Sequence, residues 1–269
     1  VHFPHIKTGT KGSEVPQNKI YRFITNSGLV KHIADLGFNT IQFLPITQTI
    51  NGDKWSHRYL SPFLYAAEHK YGNPDDLREM IDEFHKHGIA VILDFVISNL
   101  PFKDFQLGEK PAETIGIHRW QTKSGNSIFL GEETNWGTVR YNYESHPVRD
   151  FLADAAIHWI NNYKIDGFRI DNVDGILRFG PNGEGEERPG GRRTLRQIIK
   201  TIYDYKPDAY VHLESHYFKD AQAKYLTLPI GAHRNALGAT AYTSSRLTHY
   251  FHAHYMPKAA AEISPWKIR

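Results

Sequence analysis

Four stretches of the chain carry apolar residues at helical spacing, and each hands over to a short apolar run of strand length. Asn26 and Ser27 can cap a first helix with Leu29, Ile33 and Leu36 on one face, closed by Gly37 before the run 40–45. Asn73 and Pro74 offer an N-cap and a first-turn proline to a second helix. It carries Leu77, Met80, Ile81 and Phe84, stops at Gly88, and is followed by the strand 89–95. Pro147 opens a third, which buries Phe151, Leu152, Ala155, Ala156, Trp159, Ile160 and Tyr163 ahead of a strand near 167–171. A fourth, from Thr194, carries Leu195, Ile198, Ile199 and Ile202 and leads to the strand 210–214.

Helix and strand in alternation mark a parallel α/β sheet or barrel. The length of 269 residues suits one (β/α)8 TIM barrel, which needs about 250. Weaker patterns place strand one at 2–5 and strand six at 237–242, and strands seven and eight have no candidate. The expectation is therefore one catalytic barrel domain over 1–269 with about six strands, its C-terminal strands missing. Such a piece cannot close, and its open sheet edges make it a poor monomer. Two long connections, 101–145 and 177–193, interrupt the alternation, and long loops in a compact domain are usually functional.

Composition narrows the partners. Hydrophobic residues make up 40% of the chain and charged residues 23%, ordinary for a globular protein with a core to bury. The net charge of +3 is dispersed, so neither nucleic acid nor a membrane is an expected partner. No apolar run approaches the roughly 18 residues of a membrane helix, and the first residues lack the apolar core of a signal peptide, which points to the cytoplasm. Without cysteine there is no disulfide and no thiolate metal site. His85 with His87, and His252 with His254, are two apart and share no helical face. No loop is dense enough in oxygen ligands for calcium, so no metal or other cofactor is assigned. The acids at 35, 75, 76, 82 and 83 read as solvated caps and helix surface, and nothing fixes the oligomeric state.

Barrel enzymes assemble their sites at the C-terminal ends of the strands, where Asp94, Asp171 and Glu214 would share one mouth. Retaining cleavage of a glycosidic bond needs two carboxyl groups about 5–5.5 Å apart, one a nucleophile and one an acid. Asp171 and Glu214, on adjacent strands, can supply them. Arg169 lies two residues before Asp171, on the same side of the strand, and can hold it ionised. Partial burial at the end of an apolar run would keep Glu214 protonated. Each acid alone reads more simply as a cap or an ion-pair partner; the combination with Arg169 lifts the catalytic reading.

Gly167-Phe168-Arg169-Ile170-Asp171 resembles the fourth-strand motif of the α-amylase superfamily of glycoside hydrolases and transglycosidases. Asp94-Phe95-Val96-Ile97-Ser98-Asn99 is similar to its third-strand motif, and Val211-His212-Leu213-Glu214 to its fifth. The resemblance implies Asp171 as nucleophile, Glu214 as acid/base and Arg169 as their partner. It also implies sugar contacts from Asp94 and Asn99 and a stacking ring at Tyr59. The stretch 59–77, with Asn135-Trp136-Gly137-Thr138 and Tyr141-Asn142-Tyr143, looks most like glucan branching enzymes, with trehalose-releasing hydrolases nearly as close. Trp136 is a candidate substrate contact. Two departures stand out: Ser98 and Asn99 replace the usual Asn and His, and no seventh-strand His-Asp pair is found, since His249, His252 and His254 are followed by no Asp. The implied activity is retaining transfer or hydrolysis on α-1,4-glucans. The rival is a carbohydrate-binding barrel that has lost the third catalytic Asp.

Overall fold

Five parallel strands form one sheet, neighbours in the order of the sequence: β1 (Thr40–Phe43), β2 (Ala90–Phe95), β3 (Gly167–Ile170), β4 (Tyr210–Ser215) and β5 (Ala241–Ser244). The structure is a computed structural model that describes residues 7–8, 13–14, 17–49, 59–101, 127–135, 138–181, 183–215 and 239–244. Helices α1 (Ile20–Asn26) and α2 (Leu29–Asp35) precede β1. Between β1 and β2 comes α3 (Pro74–Lys86), and α4 (His146–Tyr163) connects β2 to β3. α5 (Val173–Leu177) and α6 (Pro189–Tyr205) carry the chain on to β4. This is part of a (β/α)8 barrel. The predicted first strand lies outside the described residues; the sixth forms at β5, displaced towards the C-terminus of the predicted 237–242.

Side chains alternate across each strand. Ile41, Phe43, Val91, Leu93, Phe168, Ile170, Val211 and Leu213 point outward and are buried beneath the helices. Phe43 meets Phe84 of α3 edge-on at 5.6 Å, and Trp159 of α4 donates its indole N–H to the Leu64 carbonyl at 2.6 Å. On the inner face, Gly167 is opposite Ile92 and Tyr210, while Arg169 is opposite Asp94 and His212. A Cβ on Gly167 would stand 2.2 Å from the Tyr210 carbonyl oxygen and 2.7 Å from Ile92, so only glycine leaves room for the Ile92 side chain. At the other end of the strands a cavity of about 520 Å³ is lined by Gln42, Asp166, Lys206, Asp208, Tyr210 and His212 among others. Among the described residues no helix is long and apolar enough to cross a membrane.

Several expectations are corrected. The first predicted helix forms as α2, with Gly28 at a left-handed φ of 76° as its N-cap and the Ser27 hydroxyl accepting from the Leu29 N–H at 3.3 Å, while α1 ahead of it was not predicted. Val30 is then the buried residue of α2, and Leu36, past its last turn, is 61% exposed. Asp76 is not solvated: it closes a capping box with Asn73 and pairs with Arg22 of α1 at 2.5 Å. α6 begins at Pro189, five residues before Thr194, so the connection 177–193 shortens to residues 178–188, closed by an antiparallel bridge between Arg178 and Glu187. Gly190 and Gly191 belong to its first turn because α5 and Glu144 crowd it. A Cβ on Gly191 would come within 1.7 Å of the Ile176 carbonyl oxygen. The other long connection, 101–145, holds a hairpin of strands Phe129–Glu133 and Thr138–Tyr141, the latter pairing also with Leu100–Pro101.

Candidate active site

The inner-face residues at the C-terminal ends of β2, β3 and β4 converge on Arg169. Its Nη1 donates to Asp94 Oδ1 at 2.7 Å, to Asp171 Oδ1 at 2.8 Å and to the Tyr59 hydroxyl at 3.3 Å. Its Nη2 pairs with Glu214 Oε1 at 3.1 Å. Three carboxylates around one guanidinium raise its pKa further, against the burial that would lower it. Tyr59 donates to Asp94 Oδ2 at 2.8 Å, with its ring centroid 5.5 Å from the guanidinium carbon. Burial, followed by the charge of Asp94, pushes the Tyr59 phenol up, so it acts as a neutral donor. Asp94 has no exposed surface. Burial pushes its carboxyl up to about 7, with Arg169 and the Tyr59 hydroxyl pulling the other way and Asp171 adding to the rise.

Asp171 ends β3, and the next residue, Asn172, turns the chain with a left-handed φ of 46°. That turn aims the Asn172 backbone N–H at Glu214 Oε2, 2.9 Å away. It also starts α5, whose Gly175 N–H donates to the Asn172 side chain at 3.4 Å. One residue past Glu214, the Ser215 hydroxyl lies 2.8 and 2.9 Å from the two oxygens of buried Asp174. The ends of β3 and β4 are thus tied twice, once through Glu214 itself. The Glu214 side chain is 12% exposed, as expected, but its contacts with Arg169 and the Asn172 N–H favour the carboxylate and oppose the protonation predicted from burial alone.

Five of the seven predicted site residues, Tyr59, Asp94, Arg169, Asp171 and Glu214, therefore form one connected group. Asn99 stands behind it, buried, with its amide bonded to Ser98 and Thr138. Trp136 lies outside the described residues. Pattern reading missed the Asn172 N–H, the Asp174–Ser215 tie, and the Ser98 hydroxyl, 3.2 Å from Asp171 Oδ2. Only Ser98 had left a signal, as a departure from the family motif.

Parallel strands alternating with helices, and acids gathered at the strand ends around one arginine, define a barrel of the (β/α)8 class with its site at the usual face. The family model described as "Alpha amylase, catalytic domain" matches residues 27–245, and the chain belongs to that family. Among curated relatives it is 37% identical over 191 residues to the 1,4-alpha-glucan branching enzyme GlgB of Synechococcus elongatus, covering 67% of this chain and 24% of the relative. The corresponding enzyme of Corynebacterium efficiens is 33% identical over 175 residues, covering 63% and 23%. The matched region spans about a quarter of the length of these relatives. Among solved structures, the trehalose-6-phosphate hydrolase TreA of Bacillus licheniformis superposes with a TM-score of 0.64 at 20% identity, covering 94% of this chain and 49% of that one. Eubacterium rectale Amy13B superposes with a TM-score of 0.54 at 22% identity, covering 73% and 40%.

Proposed function

We propose that the full-length protein is a retaining transglycosidase acting on α-1,4-glucans, of the branching type. The observation that carries this reading is the placement of Asp171 and Glu214 at the ends of adjacent strands, both held by Arg169. The branching enzymes among its relatives support the choice of substrate. Asp171, kept ionised by Arg169, attacks the anomeric carbon while the glycosidic C–O bond breaks and Glu214 gives its proton to the departing oxygen. Glu214 then takes the proton of an acceptor hydroxyl, whose oxygen displaces Asp171. Glu214 takes up from solvent the proton it donates, as bound sugar replaces the Arg169 or Asn172 contact that holds it as a carboxylate. Tyr59 offers its ring to the sugar at the cleavage point, and Trp136 a second apolar face. Asp94 orients Arg169 and Tyr59.

A glucan hydroxyl as acceptor gives a branch point; water gives hydrolysis, the outcome shared by amylase-like and trehalose-releasing enzymes. The test is incubation of the full-length protein and its Asp171→Ala variant with amylose, following reducing ends and α-1,6 linkages together. New α-1,6 linkages, abolished in the variant, are the expected result. Reducing ends alone would replace the transferase with a hydrolase. Glucan binding with neither signal would leave a binding barrel.

A further inference from the structure

Ser98 and Asn99, the two departures from the family's third-strand motif, are not used by the reaction above, yet both are buried, Ser98 against its nucleophile and Asn99 against Ser98. The Ser98 hydroxyl is 3.2 Å from Asp171 Oδ2, the oxygen other than the one bonded to Arg169. Asn99 Nδ2 donates to Ser98 Oγ at 3.1 Å, and Asn99 Oδ1 accepts from the Thr138 hydroxyl at 3.2 Å. Thr138 Oγ1 in turn lies 2.6 Å from Thr134 Oγ1, within the hairpin of the long excursion.

The donors and acceptors of this chain can be arranged in only one direction. An ionised carboxylate only accepts, so Ser98 must spend its single proton on Asp171 and accept from the amide N–H₂ of Asn99. The amide oxygen then faces Thr138, which donates to it and accepts from Thr134. Turning the amide over would make Ser98 donate to Asn99 and leave its lone pairs facing a carboxylate oxygen 3.2 Å away. An imidazole could serve in either sense by changing tautomer; a primary amide has fixed ends.

We infer that Ser98, Asn99 and Thr138 are positioning residues, a one-way hydrogen-bond relay from the excursion that holds Asp171 as an aligned, ionised nucleophile. Asn99 thus serves the nucleophile and not, as its motif position suggests, the sugar. The inference rests on Asp171 being the nucleophile, as proposed above. Among the described residues, the other charged or titratable groups facing Asp171 include Arg169 on its own strand, Asp94 on β2, Glu214 on β4 and Tyr59. Arg140 stands behind, donating to the Ser98 carbonyl at 3.2 Å. None of these is altered by changing Ser98 or Thr138.

The test is kcat/KM against pH for the full-length protein on amylose, with Ser98→Ala, Thr138→Val and Thr138→Ser, and with Asp171→Ala as the inactive reference. Because kcat/KM reports the free enzyme, losing a bond to the charged form of Asp171 moves the acid limb to higher pH. Ser98→Ala is expected to lower kcat/KM about tenfold and raise that limb. Thr138→Val should move both in the same direction by less, and Thr138→Ser should return the limb to its wild-type position. An acid limb unmoved in Ser98→Ala and Thr138→Val, or a rise in KM alone, overturns the inference while leaving the catalytic reading intact. A wild type inert on glucans sinks both. If Ser98→Ala does not fold, by its melting curve, the Thr138 pair decides.

Discussion

A carboxyl group with no exposed surface, shared between a guanidinium and a phenol, is costly to ionise, and Asp94 is in that position. Its folded pKa of about 7 lies above the unfolded value of about 4, so between those pH values the folded chain binds the proton more tightly than the unfolded one. The stability this group contributes is complete below about pH 4 and is lost as the pH rises through about 7. Asp94→Asn cannot titrate and removes that slope. Urea midpoints measured across the interval should show the wild type falling relative to the variant as the pH rises; parallel curves would refute the assignment. Asp94, Arg169, Asp171, Glu214 and Tyr59 were all legible in the sequence, because strand periodicity puts inward residues two apart and the motifs fix which strand ends meet. The Asn172 N–H and the Asp174–Ser215 tie were not. They depend on the left-handed turn after Asp171, which no side-chain pattern announces.

Helices α2, α3 and α4 were readable because capping residues and apolar spacing agree within each; α1 and the start of α6 were not. In the first case no capping side chain marks the start, since Lys19 at the N-cap makes no side-chain bond to the helix. In the second, glycine's low helix propensity argued for a loop, and close packing overrode it. That packing is testable. Gly191→Ala should destabilise the fold by roughly 3 kcal/mol, since the added methyl meets the Ile176 carbonyl of α5, a backbone atom that cannot rotate away. Because α5 begins two residues after Asp171, a drop in glucan activity should accompany the lowered denaturation midpoint. A variant as stable as the wild type would show that α6 does not need glycine there. The excursion hairpin escaped prediction for a different reason: its strands are four and five residues long and antiparallel, outside the helix–strand alternation that revealed the barrel.

The described residues supply five parallel strands, and a closed barrel of this class uses eight. Among the described residues β1 and β5 are each paired on one side only, so residues 1–269 produced alone are expected to self-associate through those edges, seen as oligomers in light scattering. A stable monomer of this length would mean that the edges are covered from within. What lies beneath the acids is already settled by Gly167. Ile92 fills the space over that glycine, two residues before Asp94 on the same face of β2, so β2 and β3 are packed solid directly below the acids. A sugar resting on the acids can therefore sink no deeper than Ile92 on the side of β2 and β3, and the depth of the site there is set by one glycine and its neighbour.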